Sequence, residues 1–281
     1  MNRVDEAFAA ARSERRGLLI GYLPAGFPSY DGCVEALRAM VDGGVDLVEV
    51  GFPYSDPVID GPTIQRAAER SLAGGTRTRD VLRTVEAVAT LVPTVVMTYW
   101  NPIERYGVEA FARDLAAAGG SGLITPDLIP DEAEEWTAAS DAHGLDRIFL
   151  VSPSSTDERI AMTAQACSGF IYATSVMGVT GSRDRTSARA PELVTRVRAA
   201  SEIPVGVGLG VSNGEQAAEV ASYADGVIVG SAFVRRLLDA DAGMGAGGSG
   251  TAAVAELSRD LAAGVRRGGV HSTTAGTSAG R

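Results

Sequence analysis

The chain contains no lysine; all 25 of its Lys-or-Arg positions are arginine. An internal Schiff base, a lysine-anchored pyridoxal phosphate and a P-loop lysine are therefore excluded. Histidine is nearly as scarce, with His143 and His271 alone, which rules out a His-rich metal centre and leaves a Ser-His-Asp triad little to draw on. Cys33 and Cys167 lie far apart and form no CxxC pair, so neither a disulfide framework nor a thiolate metal site is suggested, and no metal is expected. No apolar run approaches the length needed to cross a bilayer, and Met1 to Arg16 is charged and amphipathic without the apolar core of a signal peptide. A cytoplasmic protein in a reducing compartment, without membrane contact, is the expectation. The net charge of −10 opposes binding to nucleic acid, which requires clustered positive charge. With these groups set aside, acid–base chemistry falls to carboxylates.

What is present is a regular alternation. Eight short β-branched runs recur: Leu18 to Leu23, Asp46 to Val50, Thr94 to Tyr99, Gly122 to Pro126, Arg147 to Val151, Gly169 to Ala173, Pro204 to Gly208 and Asp225 to Val229. Helical-period segments lie between them, among them Asp31 to Val41, Arg79 to Leu91, Arg105 to Ala118, Asp131 to His143, Thr156 to Ala166, Pro191 to Ala200 and Gly214 to Ala221. Strand-then-helix units of this number imply a parallel α/β fold, a (β/α)8 TIM barrel with an extra N-terminal helix. A doubly wound open sheet is the alternative, but the G-x-G-x-x-G fingerprint that it would carry after its first strand is missing. Ala240 to Gly250 and Gly268 to Arg281 are rich in Gly, Ala and Ser and read as a flexible loop and a Gly-rich disordered C-terminal tail. Residues 1–267 then form a single barrel domain and residues 268–281 the tail.

In such a barrel the reactive groups sit at the C-terminal ends of the strands and in the loops that follow. The second unit is the richest. Glu49 lies within an apolar strand on the side of Leu47 and Gly51, which alternation assigns to the lumen. Burial there disfavours the ionised form and raises its pKa toward neutrality, the setting in which a carboxyl group gives and takes protons. A structural glutamate bonded to a neighbouring strand or an arginine is the alternative. Asp60 closes the following loop. With Pro62 as the first helical residue the cap position falls on Gly61, which weakens a capping role and leaves Asp60 free to turn back toward Glu49. Asp56 before Pro57 reads most simply as a turn.

Three glycine corners follow the last strands: Gly178-Val179-Thr180-Gly181, Gly208-Leu209-Gly210-Val211-Ser212 and Gly230-Ser231-Ala232. Glycines let backbone amides approach an anion, and a helix N-terminus adds its dipole, so a phosphate cradle is expected where tight turns are the alternative. Tyr22, Tyr99 and Tyr172 at strand ends can wall a planar ring and supply hydroxyls, with core packing as the bland reading.

The run Val48-Glu49-Val50-Gly51-Phe52-Pro53-Tyr54-Ser55-Asp56-Pro57, followed by Asp60-Gly61-Pro62-Thr63-Ile64-Gln65, resembles the alpha chain of tryptophan synthase. The likeness extends through Tyr22-Leu23-Pro24-Ala25-Gly26-Phe27-Pro28, Tyr99-Trp100-Asn101-Pro102, Asp127-Leu128-Ile129-Pro130 and Gly178-Val179-Thr180-Gly181 to Gly230-Ser231-Ala232, nearly the whole barrel. It implies cofactor-free cleavage of indole-3-glycerol phosphate to indole and glyceraldehyde 3-phosphate, a carbon–carbon lyase step of tryptophan synthesis. Carried over residue by residue, Glu49 protonates the indole carbon that bears the glycerol chain and then takes the proton of the adjacent hydroxyl, while Asp60 stabilises the charge at the indole nitrogen. The phosphate site maps onto Gly181, Gly210, Gly230 and Ser231, and the indole pocket onto Tyr22, Tyr99, Tyr172 and Thr180.

The resemblance further implies a pyridoxal-phosphate beta chain as partner in an αββα heterotetramer, with the cofactor in that chain only and Asp56 and Asn101 as contact candidates. Gly178 to Ser187, with Arg183 and Arg185, resembles a mobile lid. Tyr54, Val58-Ile59 and Trp100 depart modestly from the pattern, around the acids rather than at them. A stand-alone indole-3-glycerol phosphate lyase would carry the same residues, and a catalytically idle barrel kept as an allosteric scaffold is disfavoured by retention of both acids. A sugar-phosphate isomerase would leave the Pro53 to Gln65 motif unexplained.

Overall fold

A computed structural model describes residues 2–174, 189–208, 210–243 and 249–269. Its strands are β1 (Leu18–Pro24), β2 (Leu47–Gly51), β3 (Thr94–Met97), β4 (Gly122–Ile124), β5 (Asp146–Ile148), β6 (Leu150–Val151), β7 (Ile171–Thr174), β8 (Val205–Gly208) and β9 (Gly226–Val229). All pair in parallel in the order β5-β4-β3-β2-β1-β9-β8-β7-β6. The two ends of that order, β5 and β6, are halves of one segment interrupted at Phe149, so the ring closes as an eight-stranded barrel. At the interruption the Phe149 N–H donates to Cys167 Sγ (3.4 Å) while its carbonyl accepts from the Tyr172 N–H (3.1 Å).

Around the ring lie α1 (Arg3–Ser13), α2 (Tyr30–Asp42), α3 (Pro62–Ala73), α4 (Thr78–Val88), α5 (Trp100–Tyr106), α6 (Val108–Ala117), α7 (Glu134–His143), α8 (Asp157–Ala166), α9 (Arg189–Ala200), α10 (Gly214–Ala221), α11 (Ser231–Asp241) and α12 (Gly250–Gly268). Several starts are fixed by a side chain that accepts from the backbone N–H three residues on: Asn2, Ser29, Thr156, Asn213 and Ser249.

Period-two alternation divides the apolar residues between two shells. Leu19, Leu23, Val48 and Val50 face outward against the helices, whereas Leu18, Ile20, Leu47, Val95, Ile124, Ile148, Phe170 and Ile228 fill the lumen. Helix α1 plugs the N-terminal end of that lumen with Val4, Phe8 and Ala11, and the Phe8 and Phe170 rings lie 5.6 Å apart. Gly226 makes room for the plug, since a Cβ there would lie 3.3 Å from the Phe8 ring. The plug is also tied by a hydrogen bond, Asn2 Nδ2 donating to the buried Asp146 Oδ1 at 2.7 Å.

The sequence reading needs four corrections. The single helix expected over Arg105 to Ala118 is two, broken at Gly107, whose φ of 96° no helix accommodates. The fifth strand is split at Phe149. Ala240, Asp241 and Gly250, expected in a loop, are helical, with only residues 244–248 of that stretch outside the described residues. Gly268, placed with the tail, instead ends α12. There a Cβ would lie 2.2 Å from the Ala218 carbonyl oxygen, so glycine is what lets α12 pack closely on α10. Residues 270–281 lie outside the described residues. No described helix is long and apolar enough to cross a membrane.

Phe8 is almost wholly buried against the barrel floor, so Phe8→Ala should cost about 3 kcal/mol, read as a lower denaturant midpoint at unchanged slope.

Candidate active site

The C-terminal end of the ring is built differently from its floor. The lumen positions there carry Tyr22 on β1, Glu49 on β2, Met97 on β3, Leu150 on β6, Tyr172 on β7 and Gly208 on β8. Glu49 pairs in register with Tyr22 on one side and Val95 on the other. Its side chain is 0% exposed, and neither carboxylate oxygen has a hydrogen-bond partner among the described residues. Burial alone pushes its carboxyl up from 4.5 to about 8. This is the environment that the strand alternation predicts, and among the described residues no arginine or neighbouring strand satisfies the group.

Asp60 ends the loop after β2. Gly61 is the N-cap of α3 and Pro62 its first residue, with no side-chain cap, so the Asp60 carboxylate is not spent on the helix. The backbone carbonyl of Asp60 accepts from Gln65 Nε2 at 2.8 Å, which pins the turn. Partial burial pushes its carboxyl up from 3.8 to about 6, so it is still mostly ionised at neutral pH. Both acids act on the same tyrosines. After burial itself, the Tyr22 hydroxyl is pushed up chiefly by Asp60 and then by Glu49, and the Tyr172 hydroxyl by Glu49 and then by Asp60. The structure thus brings Glu49, Asp60, Tyr22 and Tyr172 into one chamber.

Tyr99 stands apart from the other two. It is buried, and its hydroxyl accepts from the Ile59 N–H at 3.0 Å, beside Asp60. The Tyr99 ring packs on Tyr54 (5.1 Å between centroids), whose hydroxyl accepts from Asn101 Nδ2 at 3.1 Å. Tyr99 therefore clamps the loop that carries Asp60.

The glycine corners have a steric role that sequence reasoning missed. A Cβ on Gly51 would lie 2.4 Å from the Tyr22 hydroxyl, one on Gly230 3.0 Å from the Tyr22 ring, and one on Gly208 2.8 Å from the Tyr172 hydroxyl. These glycines clear the space in which the two tyrosines lie. Gly210 takes a φ of +69° with open space around it, and the N-terminus of α11, from Gly230 and Ser231, has no side-chain cap. Its first N–H groups are free of an intrahelical acceptor and suit an anion. Thr180, Gly181 and the lid segment Gly178 to Ser187 lie outside the described residues.

Met97 and Leu150 also escaped the sequence reading. They are half-buried and continue the lumen faces of Val95 and Ile148 by two residues, a signal that period two carries. Outside the lumen, a cavity of about 300 Å³ opens between the loops after β2 and β3, lined by Phe52, Tyr54, Asn101 and Arg105 among others. Nearby, Asp56 and Asn101 are exposed, as are the apolar side chains of Val58 (81%), Ile59 and Ile129. Asp127, in the same region, accepts from the Trp100 N–H and holds the start of α5. Among the described residues no cluster of His, Cys, Asp and Glu could hold a metal ion.

Comparison with known proteins agrees with this geometry. Residues 8–262 match the family model described as tryptophan synthase alpha chain. The tryptophan synthase alpha chain of Salinispora tropica is 64% identical over 267 residues, covering 95% of this chain and 98% of that one. The alpha chain of Acidothermus cellulolyticus is 62% identical over 268 residues, with the same coverage. A solved structure of Mycobacterium tuberculosis tryptophan synthase superposes with a TM-score of 0.87 at 57% identity, covering 94% of this chain and 98% of that chain.

The buried carboxyl makes stability depend on pH in one direction. Glu49 holds its proton to about pH 8 when folded and loses it near 4.5 when unfolded, so the native state is progressively penalised as pH rises through that window. Glu49→Gln should match the parent below pH 4.5 and gain relative stability above it, by at most about 1.4 kcal/mol per pH unit until pH 8. Paired denaturant titrations across this range check the sign.

Proposed function

From the premise that the chain belongs to the tryptophan synthase alpha chain family, we propose that Glu49 and Asp60 divide the chemistry of the family's reaction between them. That reaction is carbon–carbon lysis: indole-3-glycerol phosphate is cleaved to indole and glyceraldehyde 3-phosphate on the way to L-tryptophan. The observation that carries the assignment is the unpartnered carboxyl of Glu49 at the head of the lumen, with Asp60 beside the same two tyrosines.

A carboxyl held protonated to about pH 8 is a competent acid at neutral pH. Glu49 delivers its proton to the indole carbon that bears the glycerol chain, and positive charge spreads to the ring nitrogen. The ionised Asp60 faces that charge and stabilises it. Glu49, now a carboxylate, takes the proton of the adjacent side-chain hydroxyl. The C–C bond breaks, its electron pair restores the indole, and the hydroxyl carbon becomes the aldehyde of glyceraldehyde 3-phosphate. The proton first delivered stays on the indole carbon and the hydroxyl proton replaces it on Glu49, so the cycle balances without an external acid or base. Tyr22, Tyr172 and Thr180 wall the indole, and Tyr99 serves the same pocket by holding the loop of Asp60. The phosphate rests on the backbone of Gly181, Gly210, Gly230 and Ser231.

The exposed surface around Asp56, Val58, Ile59 and Asn101 is the docking face for a beta chain, in an αββα arrangement that receives the indole. Pyridoxal phosphate belongs to that partner, since a chain without lysine has no amine side chain to hold it as a Schiff base. The cytoplasm is the compartment that this biosynthetic role assigns, and residues 1–267 act as the catalytic unit.

Indole release from indole-3-glycerol phosphate, measured with and without a tryptophan synthase beta chain, tests the reading. Glu49→Gln should lower kcat by at least about 1000-fold and Asp60→Asn by about 100-fold or more, with the beta chain raising parental turnover. Fast turnover that ignores the beta chain would instead favour a stand-alone lyase. The pH profile of kcat/KM should rise through about pH 6 as Asp60 ionises and fall through about pH 8 as Glu49 loses its proton.

A further inference from the structure

Tyr22 and Tyr172 both reach across the head of the lumen, but their hydroxyls are placed differently. The Tyr172 hydroxyl lies above Gly208, on the far side of the ring from the loop after β2, and Glu49 is the carboxylate that acts on it most strongly. The Tyr22 ring rests against Gly230 and leans over Gly51, so its hydroxyl hangs at the C-terminal end of β2, where the loop toward Asp60 departs. Gly51 is required for this, because a methyl group there would occupy the position of the hydroxyl. Neither oxygen of Glu49 has a hydrogen-bond partner among the described residues, and Asp60 is the charge that raises the Tyr22 hydroxyl most after burial itself, so hydroxyl and carboxylate share the chamber. A hydroxyl donor and a carboxylate acceptor that share a largely desolvated chamber each gain by pairing.

From this juxtaposition, and resting on the assignment of Asp60 above, we infer that Tyr22 is a positioning residue for Asp60: its hydroxyl donates to the Asp60 carboxylate when substrate fills the lumen, aiming that carboxylate at the ring nitrogen. Catalytic hydrogen bonds are commonly long or misaligned in unliganded sites and tighten in the substrate complex, and substrate in the lumen brings this pair into reach. The donated hydrogen bond favours the ionised carboxylate. Among the described residues, Glu49, Tyr99 and Tyr172 are the other titratable groups in the chamber. Glu49 spends its proton on the substrate in the first step, and the Tyr99 hydroxyl is held at the Ile59 N–H in the loop, so Tyr22 is the donor placed at the end of β2.

The decisive variant is Tyr22→Phe, which keeps the ring against Gly51 and Gly230 and removes only the hydroxyl. The expected result is a kcat lowered about 10-fold at neutral pH with KM within about 2-fold of the parent. The acid limb of the kcat profile, which reports the substrate complex, moves upward by about one pH unit, because Asp60 loses the donor that favoured its charge there, while the limb of kcat/KM stays in place. Tyr172→Phe, made in parallel, should move the kcat limb less. An acid limb and kcat unchanged in Tyr22→Phe overturn the inference, and if Glu49→Gln is inactive in the same assay the two-carboxylate reading survives it. Activity persisting in Glu49→Gln overturns that reading and the inference together.

Discussion

A carboxyl group without a partner at the head of an otherwise apolar barrel is the constraint around which this molecule is arranged. Nothing in the described structure compensates the burial of Glu49, and its desolvation is what keeps the proton on it. The cost is tolerable because the opposite end of the lumen is filled, layer by layer, with aliphatic and aromatic side chains sealed by α1. Stability is concentrated at one end of the barrel and destabilising chemistry at the other, the division expected of a scaffold that keeps a reactive group desolvated.

The same constraint explains the glycines at the mouth. Gly208 and Gly230 first suggest anion binding, since backbone amides are what a glycine exposes, whereas Gly51 carries no such signal. Their would-be Cβ positions show a second demand: the lumen must admit two tyrosine rings where neighbouring strands converge. Amide exposure and ring clearance are met by the same residues, and either alone would select glycine. Gly210 is different, because its positive φ calls for glycine whatever lies around it.

The strand order, the lumen face of Glu49 and the freedom of Asp60 from capping were legible in the sequence because each follows from a local rule: alternation of period two, the fixed φ of Pro62 at a helix start, and regular spacing of strand and helix. What was not legible depended on tertiary context. The break at Gly107 and the interruption at Phe149 leave the local apolar pattern intact, and α12 hides in a Gly- and Ala-rich stretch whose glycines serve close helix packing. Tyr99 read as a pocket wall because a strand-end tyrosine looks the same whether its hydroxyl meets a ligand or the Ile59 N–H. Met97 and Leu150 were reachable by extending the lumen faces, yet apolar residues carry no chemical flag.

The plug formed by α1 carries a consequence for the order in which the molecule is made. Its residues precede every strand in the chain, but the floor that they seal is contributed by strands from every part of the barrel, up to Ile228 on β9. A nascent α1 therefore has no complete docking surface until the last strand has left the ribosome and paired with β1. A segment translated ahead of all the strands is thus among the last to find its place, and barrel closure and plug insertion make long-range contacts of the kind that slow folding.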